Sequence, residues 1–180
     1  MFGNNNVLKR PKVDYRIVGI DLAGLPKNPT GICIIGEEIF LLTLYEDEEI
    51  IGMVNETSPK IVAIDAPIMD KIRMRKADKI LKKYGAIPPT LPSMKILTER
   101  AKRIVDSIEA DVIEVFPTAS AKIMGVYDKN WQKMAEKFGI SAKNKHELDA
   151  YIACYTAYLY LKGMAEKVGG KRKVIIPKVF

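Results

Sequence analysis

The stretch Arg16-Ile-Val-Gly-Ile-Asp21-Leu-Ala-Gly24 and its echo Lys60-Ile-Val-Ala-Ile-Asp65-Ala-Pro67 decide the fold. Each is a short, nearly continuous apolar run stopped by an aspartate. Such a run suits a strand covered on both faces, as in the parallel part of an α/β sheet. Arg16–Ile20 and Lys60–Ile64 are therefore expected strands, with Asp21 and Asp65 at their carboxyl ends. Asp111–Phe116 repeats the pattern, with Glu114 following Asp-Val-Ile and Pro117 closing the segment. In open α/β sheets ligands sit at that edge of the strands.

Working outward, Thr30–Ile35 and Ile39–Tyr45 read as two further strands joined by Gly36-Glu-Glu38, so an antiparallel meander opens the chain. Glu46–Thr57 reads as a helix with acids in its first turn, where the helix dipole favours them. Met74–Tyr84 and Ser93–Glu109 are expected helices on either side of the proline-rich Ile87–Pro92. Shorter helices follow at Thr118–Met124 and Trp131–Phe138. Asn144 and Glu147 make a capping pattern for a long helix running to about Val168. Its stripe of Ala150, Ala153, Cys154 and Ala157 suits close approach to a sheet. Lys173–Ile176 can add a last edge strand. The order implies an α/β fold: a mixed five-stranded sheet, a three-stranded antiparallel meander plus parallel strands, with helices on both faces.

At 180 residues the chain is long enough for one ordinary domain. Its 48% hydrophobic and 28% charged residues exclude a disordered protein. No apolar run approaches the ~20 residues of a membrane span, and Asn4-Asn-Asn6 stands where a signal peptide needs an apolar core. Residues 1–15 are expected to form an N-terminal arm. The two cysteines, Cys33 and Cys154, lie in apolar segments and suit buried thiols, so a reducing, cytoplasmic setting is expected. The single glutamine among many Lys, Glu and Ile is a composition of thermophilic type.

The net charge of +7 is unevenly spread. Lys71–Arg103 holds eleven basic residues against Asp78 and Glu99, whereas Asn28–Pro59 holds seven acids and no base. The basic stretch either solvates two helices or attracts a polyanion. On the second reading the partner is nucleic acid, DNA or RNA undecided, and Arg73, Arg75 and Arg100 contact phosphates. The oligomeric state stays open, a homodimer being one option.

Two carboxylates brought to about 4 Å repel by roughly 4 kcal/mol at an effective dielectric near 20. Either one keeps its proton or a cation sits between them. Oxygen ligands suit Mg²⁺ or Mn²⁺, and paired ions suit displacement at phosphorus. Asp21, Asp65 and Glu114 are thus candidate catalytic and metal-binding residues, with Asp149, one turn into the last helix, as a fourth. Each also has a plain structural role open to it, as a turn cap, an ion-pair partner or a first-turn helix acid. His146 fits a capping or supporting role.

Gly19-Ile-Asp21-Leu-Ala, Ala63-Ile-Asp65-Ala-Pro67, Ile113-Glu114-Val-Phe-Pro117 and His146-Glu-Leu-Asp149-Ala-Tyr together resemble the DUF429 family of predicted nucleases. Arg73-Met-Arg75-Lys-Ala-Asp78 and Leu97-Thr-Glu-Arg100-Ala are similar to that family's helical insertion, and Val174-Ile-Ile-Pro177 looks like its terminal strand. The resemblance implies a ribonuclease-H-like domain over residues 16–180, with a basic helical insertion around 68–109. It also implies that the strands of Asp21 and Asp65 are neighbours, with Asp149 reaching the same edge from the last helix. The expected activity is metal-dependent hydrolysis of nucleic acid. The rivals are a nucleic-acid-binding module without catalysis and a small-molecule phosphotransferase on the same sheet.

Overall fold

The computed structural model describes residues 8–171 and 173–178. Its frame is a single mixed sheet of β1 (Ile17–Asp21), β2 (Thr30–Ile35), β3 (Ile39–Leu44), β4 (Ile61–Ile64), β5 (Val112–Val115), β6 (Ala165–Val168) and β7 (Val174–Pro177). The spatial order is β3-β2-β1-β4-β5-β7-β6. The β1–β2–β3 meander is antiparallel, β4 and β5 add in parallel to β1, and β7 continues parallel to β5. An antiparallel meander whose first strand is extended by parallel strands is the ribonuclease-H-like arrangement. The two apolar-run strands are direct neighbours, Ile17 facing Ile61 and Ile20 facing Ile64.

Helices cover both faces. The long α6 (Lys145–Leu161) lies across β1 and β2, backed by α4 (Pro117–Ile123) and α5 (Trp131–Phe138). Ile17, Cys33, Ile35, Ala63 and Val115 form the sheet's half of that core. On the other face Val18, Ile20, Ile32, Val62 and Ile64 meet α1 (Asp47–Thr57) and α3 (Pro92–Asp106) through Ile50, Val54, Ala101 and Ile104. The small-residue stripe lets α6 approach closely. A Cβ built on Gly19 would fall 2.1 Å from the Ala150 carbonyl oxygen, and one on Gly31 would fall 1.9 Å from that of His146. Glycine at these two strand positions is what allows α6 to rest on the sheet backbone.

The sheet has seven strands rather than the expected five, and the difference lies at the C-terminus. The last helix ends at Leu161, not near Val168. Gly163 takes a left-handed conformation (φ 73°) that stops it, and Met164 donates its N–H to the Leu159 carbonyl. Ala165–Val168 then pairs antiparallel with β7. Ala-Glu-Lys-Val has no strand alternation of its own, so its pairing with β7 is what makes it a strand. The expected helix at Met74–Tyr84 is shorter, α2 (Lys76–Leu81) followed by one 3₁₀ turn over Lys82–Tyr84. Of the expected arm, residues 1–7 lie outside the described residues. The remainder is docked, with Leu8 N–H on the Lys137 carbonyl, Val13 N–H on the Gly36 carbonyl, and Val13 buried.

Candidate acidic centre

The start of α6 is fixed by its cap. Asn144 Oδ1 accepts from Glu147 N–H at 3.0 Å, and Glu147 Oε2 accepts from Lys143 N–H at 2.8 Å. Thr43 of β3 adds a bond to Glu147 Oε1. These contacts hold the first turn of α6 over the carboxyl ends of β1 and β4. Asp149 and His146 are carried there with it.

Three of the four expected acids meet at this edge. Asp21 and Asp65 occupy equivalent register positions, one step beyond the facing pair Ile20 and Ile64. Both therefore point to the α6 face. Burial, then the Asp21 and Asp149 carboxylates, push the Asp65 carboxyl well above the usual carboxylate range, with Lys145 opposing. Asp149 is pushed up to about 6, by burial first and by Asp21 next, against the pull of Lys145 and His146. His146 Nδ1 lies 2.8 Å from Asp21 Oδ2, and that bond raises the imidazole pKa. A carboxylate can only accept, so it is an Nδ1–H that faces Asp21. Lys145 pairs with Asp149. Burial works against the Lys145 charge, but Asp149, with help from Asp21 and Asp65, outweighs it and raises the ammonium pKa.

Glu114 does not join them. In the β4–β5 pairing it stands opposite Ile64, not opposite Asp65. Side chains alternate along a strand, so one step of register sends Glu114 to the other face. There it forms a bidentate pair with Arg75, at 2.6 Å to each oxygen, and accepts from Ile68 N–H at 2.9 Å. Burial nevertheless pushes its carboxyl up from the ordinary value. Arg75 also binds Asp78, and both acids hold its pKa above normal despite burial. The expected metal-ligand role of Glu114 is replaced by this buried pairing.

The expected phosphate-contacting arginines divide in the same way. Arg75 is spent on Glu114 and Asp78. Arg100 is 0% exposed, with Nε on Asp47 Oδ1 at 2.7 Å and its remaining nitrogens on the carbonyls of Ala23 and Tyr45. It ties α3 to α1 and to the loop after β1, and no phosphate can reach it. Arg73 alone is exposed. Lys145 joins the centre as well, and its sequence signal is the i,i+4 spacing to Asp149 on a helix.

Asp65 is the acid that stands out. Its carboxylate makes no hydrogen bond to any side chain or backbone group among the described residues, whereas Asp21 is bonded by His146 and Asp149 by Lys145. Among the described residues no three Asp, Glu, His or Cys side chains are gathered tightly enough to cage an ion as they stand. The donor chemistry nonetheless suits a hard divalent cation, since three mutually repelling carboxylates would gain from one. A cavity of about 1010 Å³ lies elsewhere, lined by the segment between β4 and α2, by β5, by Tyr160 and by the β6–β7 hairpin, and by none of these three acids.

No family model matches the chain, and no curated protein matches it. Two solved structures with a related course of the chain are a Thermus thermophilus RuvC structure (13% identity, TM-score 0.46) and T. thermophilus RuvC in complex with Holliday junction substrate (10% identity, TM-score 0.45). Each comparison covers 82% of this chain and 96% of the other. The ribonuclease-H-like arrangement follows from the strand order β3-β2-β1-β4-β5-β7-β6.

Proposed function

We propose that the protein is a Mg²⁺- or Mn²⁺-dependent phosphodiesterase acting on nucleic acid, with Asp21, Asp65 and Asp149 as its metal-holding and catalytic residues. The observation that carries this reading is the convergence of Asp21, Asp65 and Asp149 at the carboxyl edge of a ribonuclease-H-like sheet, where the half-buried Asp65 carboxyl has no hydrogen bond among the described residues and is raised by burial and by the two facing aspartates. A protein gains nothing in stability from such an arrangement, and perturbed groups of this kind concentrate at functional sites. The resemblance to the DUF429 nucleases belongs to the same reading.

A bound divalent cation would supply Lewis acidity at the phosphoryl oxygens and a nucleophile at neutral pH. The protein's part is positional. His146 holds Asp21 in one rotamer through its Nδ1–H. The Asn144–Glu147 cap fixes the turn that presents Asp149. Lys145 neutralises Asp149 in the ion-free protein and has to yield when a cation arrives. The test is a cleavage panel of single-stranded, duplex, hybrid and branched substrates with Mn²⁺. Wild type is expected to cut at least one of them and Asp21→Asn to cut none; equal cutting by both removes the proposal.

One observation favours a second reading, a nucleic-acid-binding module without hydrolysis. Lys145 pairs with Asp149 and His146 hydrogen-bonds Asp21, so two of the three carboxylates already have protein partners. On that reading binding is salt-sensitive, survives Asp65→Asn and needs no metal ion.

A further inference from the structure

The cavity of about 1010 Å³ is built from two segments far apart in sequence. One wall is the segment between β4 and α2, with Lys71, Arg73 and Lys76. The other is the β6–β7 hairpin, with Lys167, Lys171 and Lys173. All six side chains are exposed. Arg75 and Glu114 also line the cavity, but they are bound to one another, and Arg75 to Asp78 as well, in the buried cluster described above. The rest of the lining holds six cations and one acid, Asp70, so the charge facing the space is positive. Tyr160, in the last turn of α6, supplies an aromatic wall, and Lys167 Nζ sits 5.3 Å from its ring centroid.

We propose that this cavity holds the sugar-phosphate backbone of a nucleic acid strand, at a distance from the acidic centre. A tight site for a small phosphate would present buried, oriented donors. Here the donors are long, exposed and spread around the rim, which suits a delocalised polyanion and salt-sensitive binding. An aromatic ring among cations is the combination that stacks a base while its phosphate is neutralised.

The proposal rests in part on the reading of the acidic centre, because the two sites share α6. Asp149 lies in its first turns and Tyr160 in its last, which places them about 16 Å apart along the axis at 1.5 Å per residue. At about 3.4 Å per nucleotide of one strand, that distance spans about five nucleotides. Fragments shorter than this engage one site only.

The experiment measures binding of a fluorescent 12-nucleotide single strand in EDTA, where no cleavage can interfere, across a salt series. The proteins are wild type, the triple variant Lys167→Gln/Lys171→Gln/Lys173→Gln, and a control losing equal charge elsewhere, Lys9→Gln/Lys129→Gln/Lys133→Gln. Each lost phosphate contact removes about 0.7 from the slope of log K against log salt, so the triple variant is expected to lose about 2 and the control close to none. Equal losses in both variants, or no loss in the triple variant, overturn the proposal. If the triple variant does not fold, the three single variants carry the test at about 0.7 each. Competition by a mononucleotide at the same concentration as the 12-mer would show a free-phosphate site and overturn the strand assignment. A lysine effect without any cleavage by wild type leaves this site standing and removes the nuclease reading. Cleavage with no lysine effect does the reverse.

Discussion

Replacing Asp149 by asparagine should make the ion-free protein more stable at neutral pH. The wild-type carboxyl has a pKa of about 6 against an ordinary 3.8. At 1.36 kcal/mol per pK unit, keeping it ionised in the fold costs about 3 kcal/mol. The folded state binds this proton more tightly than the unfolded chain does. Its contribution to stability is therefore complete below pH 4, falls as pH rises through about 4–6, and is gone above 7. Asp65, also raised, acts in the same direction. Asparagine keeps an acceptor in place and removes the charge. Lys145, left without its partner, has a side chain 57% exposed and can rehydrate. Asp149→Asn should then gain about 2–3 kcal/mol at pH 7.5, or roughly 5–10 °C in Tm for a chain of this size. The gain should shrink toward zero by pH 4. The assay is urea or thermal unfolding of both proteins in EDTA from pH 4 to 8. A difference that does not vary with pH, or a less stable variant at pH 7.5, would refute the convergence of the carboxylates. Mn²⁺ at 100 times its Kd adds about 2.7 kcal/mol to the protein that binds it and should cancel the difference, and at 1,000 times its Kd it adds about 4.1 kcal/mol and should reverse the order.

Three further outcomes test other parts of the structure. Arg75→Met leaves Glu114 and Asp78 buried without their cation and should cost about 3–5 kcal/mol in urea unfolding while leaving Mn²⁺ binding by calorimetry unchanged; an unchanged midpoint would show that the pair is not what holds Glu114. Lys145→Gln removes the internal cation and should tighten Mn²⁺ binding in the same calorimetric titration, and weaker binding would mean that the lysine assists the ion rather than competes with it. Gly31→Ala drives a methyl into the His146 carbonyl and should lower both the soluble yield and the Tm, whereas a melt like that of wild type would contradict the close seating of α6 on β2.

Much of this protein is legible along the chain, because local signals agree with the final structure. Apolar runs stopped by aspartates mark β1 and β4, the glycine–glutamate connection marks the meander, and Asn144 with Glu147 marks the start of α6. These depend on neighbours within a few residues. The pairing of Asp21 with Asp65 follows from two runs so alike that equal register puts both acids on one face. Glu114 looked equivalent because it too follows an apolar run. Its orientation is set by which residue of β4 it faces, and parity along a strand is invisible until that partner is known. Arg75 and Arg100 resembled phosphate contacts because a sequence shows charge but not burial. Glu114 lies 39 residues from Arg75 and Asp47 lies 53 from Arg100, and packing alone brings these partners together. The same holds for Lys167, Lys171 and Lys173, which join Lys71, Arg73 and Lys76 because the terminal hairpin folds against the segment after β4. Short-range chemistry names the elements and their caps. The contacts that decide whether a charged side chain is a ligand, a strut or a rim are long-range, and they exist only once the sheet has closed.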